Sequence, residues 1–309
     1  MAEVIRWGVL GARSKIYRTK LLPPMQARDG HQVVAEASRD ADGGDAPYAE
    51  LLRNPEVDAV YIPLPNDSHK RWILAALEAG KHVLCEKPLT MCAADTDEVY
   101  AAAASVGRVL GEAYMWPHHP RSQVILDVAR RDLGELRFSR AAFSFMLDRP
   151  HDHRFDARGG GALFDVGIYV LGPALLLAPR EPRSLAATAA RNDHGVDVSM
   201  IGFVDLGEGF GASFEVSFES VYRRSLHLTG TKGAITIESN LAPGPTEAST
   251  VPFMNLDDTV VEHPAAGADA YGEMLDAFAL ELGGATPRWG ADESRLLARW
   301  IDALHASAS

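Results

Sequence analysis

Apolar segments of strand length alternate with helical segments throughout the first third of the chain. Helical segments span residues 48–53, 68–79 and 90–106, and Gly80 ends the second of them. Continuous apolar strands separated by helices predict a parallel sheet that is covered on both faces. The strands are predicted at residues 4–10, 33–37, 57–62, 82–86 and 108–113.

The link after the second strand is short. Residues 38–47 contain Gly43 and Gly44 and leave room for a loop, but not for a further helix and strand. We therefore expect the sheet to be shortened at this point, without a further helix and strand.

The pattern changes after Pro117 and Pro120. Every second residue of 210–218 is apolar, which predicts an antiparallel sheet with one buried face. The glycine turns at residues 207–209 and 230–233 predict hairpins. We expect a loop with one short strand over residues 242–264. The remaining strands are predicted at 136–146, 184–191, 196–206, 224–229 and 234–238, and the helices at 122–131, 271–282 and 292–306.

Charge and cysteine content exclude several classes of protein. The formal net charge of −12 disfavours broad binding to nucleic acid or to an anionic membrane. Cys85 and Cys92 have neither the spacing of a metal site nor that of a disulfide framework, so we expect no metal. The N-terminus leads directly into a strand without a signal peptide, and the longest apolar run, residues 169–178, is too short to span a bilayer. These features predict a cytoplasmic protein.

The turn after the first strand is a candidate phosphate-binding loop. Such loops use glycines for the tight turn and for close approach of the backbone to pyrophosphate, and the next helix offers free N–H groups. Only Gly11 fits cleanly, because Arg13 or Ser14 takes the second glycine position and Ile16 or Tyr17 the third. An ordinary strand–turn–helix remains the alternative. The candidate loop residues are Gly11, Ala12, Arg13, Ser14, Lys15 and Ile16.

The end of the second strand bears on the choice of cofactor. An acidic residue at this place binds the ribose of NAD, whereas an arginine accommodates the 2′-phosphate of NADP. This chain has Ser38 and Arg39, with Asp40 as an opposing charge. A solvated loop arginine is the alternative. The sequence favours NADP(H) and leaves NAD(H) possible.

Lys87 follows the fourth strand and precedes Pro88. Ligands bind at the carboxyl ends of strands in open α/β sheets, so this lysine is predicted to reach the crevice. A lysine beside a reacting hydroxyl can hold it and stabilise developing negative charge.

A glycine run at residues 159–161 precedes a helix that carries Asp165 and Tyr169. These two residues are four positions apart and share one helical face, so a carboxylate and a phenol could act together in proton transfer. In the alternative interpretation Asp165 caps the helix electrostatically and Tyr169 packs in the core.

Taken together, these motifs resemble the glucose–fructose oxidoreductase/inositol dehydrogenase (Gfo/Idh/MocA) family over nearly the whole chain. The most specific segment is residues 79–88, which read Ala-Gly-Lys-His-Val-Leu-Cys-Glu-Lys-Pro. Residues 57–62 with Pro65, Asn66 and His69 contribute, as do the glycine run through Tyr169 and the 230–233 hairpin. Tyrosine at position 169 is similar to the dihydrodiol/xylose dehydrogenase and sugar-ketoreductase branches.

The resemblance implies an α/β fold with an N-terminal Rossmann domain over residues 1–118. It also implies a substrate and oligomerisation domain over 119–309, built on a large, mostly antiparallel sheet, with the active site between the two domains. Lys87 corresponds to the family's active-site lysine, Asp165 to the residue that orients substrate and Tyr169 to the acid/base. Further cofactor contacts are expected at Pro63, Leu64, Asn66, His69 and Glu86, and substrate contacts at His118, His119 and Arg154.

The implied activity is NADP(H)-dependent hydride transfer at a hydroxyl or carbonyl carbon of a sugar, polyol or activated sugar, by a homodimer or homotetramer. Three features depart from the family pattern: the poorly kept glycines, the short 38–47 link, and Pro117 where many relatives have arginine. Two alternatives share this fold, an NAD-retaining glycosidase and a non-catalytic regulator that binds sugar or cofactor. Release of free sugar without net change in nicotinamide absorbance would identify the glycosidase.

Overall fold

The computed structural model describes residues 4–149, 152–156, 158–238, 244 and 247–308. These residues form two compact units. The first comprises the chain up to residue 118 together with 269–294, and the second comprises 119–268 together with the C-terminal residues from 295. Segment 269–294 belongs to the first unit although it follows most of the second unit in the chain, and the predicted domain boundary stays a prediction. The second predicted domain is therefore interrupted by a helix that belongs to the first.

The first unit is built on a five-stranded parallel sheet in the order β2-β1-β3-β4-β5. The predicted parallel sheet is confirmed. Its core is formed by the apolar strand residues, among them Leu10, Val60 and Val83, packed against side chains of the flanking helices. The strands are β1 (Ile5–Leu10), β2 (His31–Ala37), β3 (Ala59–Ile62), β4 (His82–Cys85) and β5 (Leu110–Glu112).

Helices cover this sheet, and the first begins irregularly. A π-helical turn at Tyr17–Leu21 leads into α1 (Leu22–Ala27), where Pro23 and Pro24 supply no N–H for a regular α-helical ladder. The chain passes from β2 through a loop directly into α2, so the short link is confirmed. The other helices of this unit are α2 (Ala46–Leu52), α3 (His69–Glu78), α4 (Ala93–Val106) and α7 (Ala270–Leu282).

The second unit contains an eight-stranded sheet in the order β13-β12-β11-β10-β6-β9-β8-β7. All neighbours are antiparallel except β6 and β9, so the predicted, mostly antiparallel sheet is confirmed. Helix α6 (Ala162–Leu177) packs on β6, β8 and β9, and α5 (Pro120–Asp132) packs on the other end of the sheet. The strands are β6 (Leu136–Met146), β7 (Ser184–Arg191), β8 (Asp197–Asp205), β9 (Gly211–Ser217), β10 (Glu219–Gly230), β11 (Gly233–Ile237), β12 (Ser249–Asn255) and β13 (Val260–Ala265).

The expectation of a loop with one short strand over residues 242–264 is wrong in its described part. Strands β12 and β13 form a hairpin whose turn is held by the Asn255 side chain, which accepts from Thr259 N at 3.0 Å. Pro252 and Pro264 obscured these strands in the sequence. Pro264 lies on the edge strand, and Pro252 lies beyond the part of β12 that pairs with β11, so neither proline interrupts the β11–β12 ladder.

Helix α8 (Ala291–Ser307) closes the chain. Among the helices of the described residues, none combines the length and the apolar character needed to cross a lipid bilayer.

Candidate active site

The loop after β1 has the geometry of a close backbone approach. Gly11 has φ of +111°, a conformation that favours glycine, and the N–H groups of Gly11 and Ala12 both donate to Ala37 O at 2.9 Å. A Cβ at Gly11 would lie 3.0 Å from Leu64 Cδ2 and 3.2 Å from Pro63 O. The carboxyl ends of β1, β2 and β3 therefore meet here without an intervening side chain.

The residues after Gly11 enter a helix without further glycines. Ser14 N donates to Gly11 O at 2.8 Å, and Arg18 N donates to Ser14 O at 3.1 Å. The helix therefore begins at Lys15 and Ile16, and its first N–H groups face its open N-terminal end, where an anion is favoured. Arg13 is exposed at the same turn.

Two arginines share one carboxylate beyond β2. Arg39 Nε lies 3.1 Å from Asp45 Oδ1, and Arg71 Nη1 lies 2.7 Å from Asp45 Oδ2. Asp40, next to the exposed Arg39, turns into its own loop and accepts from Gly44 N at 2.6 Å. Arg39, Arg71 and Asp45 together carry one more positive than negative charge. The sequence interpretation missed Arg71, which only the fold brings to the end of β2.

His69 joins the two loops at the sheet edge. Its ring nitrogens lie 2.9 Å from Pro88 O and 2.8 Å from Leu64 O, and the residue is fully buried. Burial lowers the pKa of His69. Both ring nitrogens face backbone carbonyls, so His69 holds these two loops together, and its contact with a cofactor stays a prediction. Asn66 begins the short 3₁₀ turn that precedes it.

Lys87 follows β4 between two buried carboxyl groups. The adjacent Glu86 accepts from Tyr61 Oη at 2.6 Å. Glu112, at the end of β5, accepts from Leu89 N at 2.9 Å, and burial raises its pKa while the Lys87 charge opposes that rise. The Glu112 carboxyl therefore lies within the electrostatic reach of Lys87.

Glu112 was missed by the sequence analysis. Its second oxygen accepts from Trp289 Nε1 at 2.9 Å and from Ser294 Oγ at 2.6 Å, both far away in sequence. No local sequence pattern predicts such a contact. Glu112 ties the lysine-bearing loop to the C-terminal segment of the first unit.

In the second unit, Asp165 and Tyr169 lie on α6 as predicted, and both are only partly buried. Arg154 Nε lies 3.0 Å from Asp165 Oδ2, while Arg154 Nη1 lies 3.1 Å from Asp152 Oδ2. The Tyr169 ring lies 5.3 Å from the ring of Phe143. The structure thus brings Arg154 and Asp165 together and leaves Tyr169 partly exposed rather than enclosed in the core.

The start of α6 is capped by a residue that the sequence analysis did not single out. Asp197 Oδ2 accepts from Leu163 N at 2.7 Å, and the Asp197 side chain is fully buried. Gly161 has φ of +93°, and a Cβ there would collide with Asp197. Burial raises the pKa of Asp197 to about 6. The glycine run therefore lets a distant carboxylate reach the amino end of the helix that carries Asp165 and Tyr169.

His118 and His119 are buried rather than solvated. Burial lowers the pKa of His118 to about 3, so its imidazole is neutral near pH 7. His119 is fully buried and caps α5, because its Nδ1 accepts from Arg121 N at 3.0 Å. This capping contact occupies Nδ1 of His119, and the expected substrate contacts of His118 and His119 stay predictions.

Sequence and structure comparisons agree on relatives of this chain. Residues 5–114 match the GFO/IDH/MocA oxidoreductase family with an NAD-binding Rossmann fold, and residues 127–236 match the GFO/IDH/MocA C-terminal domain. A D-xylose 1-dehydrogenase (NADP⁺) from Haloferax volcanii is 34% identical over 98% of this chain and 97% of its own length. A dTDP-3,4-didehydro-2,6-dideoxy-α-D-glucose 3-reductase from Saccharopolyspora spinosa is 33% identical over 91% and 89%.

A solved structure shows the same fold. The 3-ketoreductase from Actinomadura kijaniata, in complex with NADP and TDP-benzene, superposes with a TM-score of 0.90 at 30% identity, over 99% of this chain and 98% of that one. Both domain matches, the full-length relatives and this superposition lead to one conclusion: the chain belongs to the GFO/IDH/MocA oxidoreductase family.

Proposed function

We propose that this protein is an NADP(H)-dependent oxidoreductase that transfers a hydride to or from a hydroxyl or carbonyl carbon of a sugar, polyol or activated sugar. The observation that carries the proposal is the presence of Lys87 at the carboxyl edge of a parallel sheet and of Asp165 and Tyr169 on one face of α6. Relatives that act on xylose and on dTDP-linked sugars support the substrate class.

The residues of the first unit fit a nicotinamide dinucleotide. A Cβ would fill the space beside Gly11, so this loop is shaped for close approach of a ligand to the backbone. The helix that begins at Lys15 would hold the pyrophosphate, and Arg13, Arg39 and Arg71 would hold a 2′-phosphate. The excess of guanidinium groups over the single Asp45 carboxylate favours NADP over NAD.

The cofactor, when bound, supplies the hydride acceptor or donor. Lys87 would donate a hydrogen bond to the reacting oxygen and stabilise its negative charge in the transition state. Tyr169 would take up or release the hydroxyl proton at its phenolic oxygen. Asp165, held by Arg154 at 3.0 Å, would orient a neighbouring hydroxyl group of the substrate.

We also infer a homodimer or homotetramer that assembles through the outer face of the eight-stranded sheet. Phe138, Ile201 and Phe203 are 52%, 61% and 43% exposed on that sheet, and exposed apolar patches often mark interfaces. Cys85 and Cys92 are free thiols, which supports the proposed cytoplasmic location.

The test is a screen of nicotinamide absorbance against sugars, inositols and activated keto-sugars, with both NAD and NADP. Lys87→Ala should lower kcat by about 10²–10⁴-fold while NADP binding persists, because general-acid and electrostatic contributions have that size. Lys20→Ala, an exposed lysine of the same unit, is the matched control and should keep wild-type turnover. Full turnover by a Lys87→Ala protein that binds cofactor would refute the assignment.

A further inference from the structure

Two adjacent arginines on β10 face opposite sides of the sheet. Arg223 is half exposed and pairs with Glu215 at 2.9 Å. Arg224 points to the other side, because Leu226 and Leu228, two and four residues further along the strand, are fully buried. Arg224 also pairs across the ladder with Phe143 of β6.

The Arg224 guanidinium is held between two aromatic rings. Its Cζ lies 4.4 Å from the Phe143 ring centroid and 5.1 Å from that of Tyr222. Its Nε is buried and has no hydrogen-bond partner among the described residues. A buried guanidinium N–H without an acceptor is costly, so an anion that brings an acceptor to Arg224 would be favoured.

Phe143 packs against both Arg224 and Tyr169. Phe143 contacts the Arg224 guanidinium, and its ring centroid lies 5.3 Å from that of Tyr169. The neighbouring Asp165 carboxylate is engaged by Arg154 instead. Within the described part of the chain, no carboxylate forms an ion pair with Arg224.

We propose that Arg224 forms an anion-binding subsite beside Tyr169 and that the substrate is a sugar derivative carrying a phosphoryl or carboxylate group. This inference rests on the proposed function, since it assigns the reacting sugar to the neighbourhood of Tyr169. The planar guanidinium, fixed by stacking, can donate two parallel hydrogen bonds to either oxyanion.

The experiment is calorimetric titration of the NADP⁺-loaded protein with four ligands that share a glucose ring. These are dTDP-glucose, glucose 1-phosphate, glucuronate and glucose. The wild type should bind at least one anionic ligand tighter than glucose, and Arg224→Met should weaken that ligand by about tenfold to a hundredfold. Tighter binding of dTDP-glucose or glucose 1-phosphate than of glucose would indicate recognition of a phosphoryl group, and tighter binding of glucuronate would indicate recognition of a carboxylate.

Two further variants make the result decisive. Arg223→Met, on the opposite face, should leave the anion preference unchanged, and Arg224→Lys should retain part of it. Equal losses in Arg223→Met and Arg224→Met, or no preference for any anion in the wild type, would overturn the subsite. Failure of the wild type to bind NADP⁺ when it is loaded before these titrations would instead overturn the proposed function.

Discussion

Replacing Asp197 by asparagine should stabilise the protein at neutral pH while preserving the cap of α6. The amide oxygen of the new side chain can still accept from Leu163 N, the contact that Asp197 makes at 2.7 Å. The substitution removes a fully buried negative charge. His305 Nδ1 lies 3.8 Å from Asp197 Oδ1, but burial lowers the pKa of His305 to about 4, so this ring offers no positive charge at pH 7. The charge of Arg191 opposes the rise in the Asp197 pKa without cancelling it.

The size of the effect follows from proton linkage. Burial raises the pKa of Asp197 to about 6 from an ordinary value of 3.8, so the folded state retains a proton that the unfolded state loses between these values. The contribution of the Asp197 carboxyl group to the free energy of unfolding is highest below pH 4. It falls as the pH rises from 4 to 6 and is lost above pH 6. The loss at pH 7 is about 3 kcal/mol, with about half of it present at pH 5.

Urea unfolding of the wild type and Asp197→Asn at pH 5 and pH 7 tests this account. The variant should gain up to about 3 kcal/mol at pH 7 and about half as much at pH 5. His305 titrates in both proteins, so their difference removes its contribution. Asp127→Asn, an exposed carboxyl on α5, should show neither gain. A variant with the same stability as the wild type at both pH values would refute the reasoning.

Three further predictions concern the first unit. Gly11→Ala should weaken NADP binding by about tenfold or more and lower stability by about 1–3 kcal/mol, because of its positive φ and the close Leu64 side chain; unchanged affinity would contradict it. Arg71→Gln should raise the Kd for NADP about tenfold and leave that for NAD unchanged, and equal losses for both cofactors would argue against a 2′-phosphate site. Glu112→Ala should cost about 3 kcal/mol or more in urea unfolding, because Leu89 N and Ser294 Oγ lose their acceptor and Trp289 Nε1 keeps only Ser294 Oγ, whereas Glu112→Gln should cost less; a neutral alanine variant would contradict the hydrogen-bond network.

The parts of the fold that were predictable are those with a local signal. Apolar runs indicated the parallel strands, and the 230–233 glycine turn indicated the β10–β11 hairpin. The β12–β13 hairpin was missed because a proline in each strand carries a local signal against strand structure, and only the ladder shows that the prolines occupy tolerated places.

The same distinction between local and long-range signals applies to the residues of the candidate site. Gly11, Lys87, Asp165 and Tyr169 stand in short motifs whose chemistry is legible in sequence. The residues that hold these motifs in place could not be predicted in this way. Asp197 accepts from Leu163 across 34 residues, and Ser294 donates to Glu112 across 182. Contacts of that length are set by strand order, which a local pattern does not encode.

Direct hydride transfer is the central claim, and isotope transfer tests it most directly. A sugar that proves active in the absorbance screen is prepared with deuterium on the carbon that is oxidised, and the reduced nicotinamide is analysed by mass spectrometry. The account predicts one deuterium in the NADPH formed by the wild type, and loss of this transfer in Lys87→Ala and Tyr169→Phe proteins that still bind NADP. NADPH without deuterium, or undiminished transfer in both variants, would contradict it.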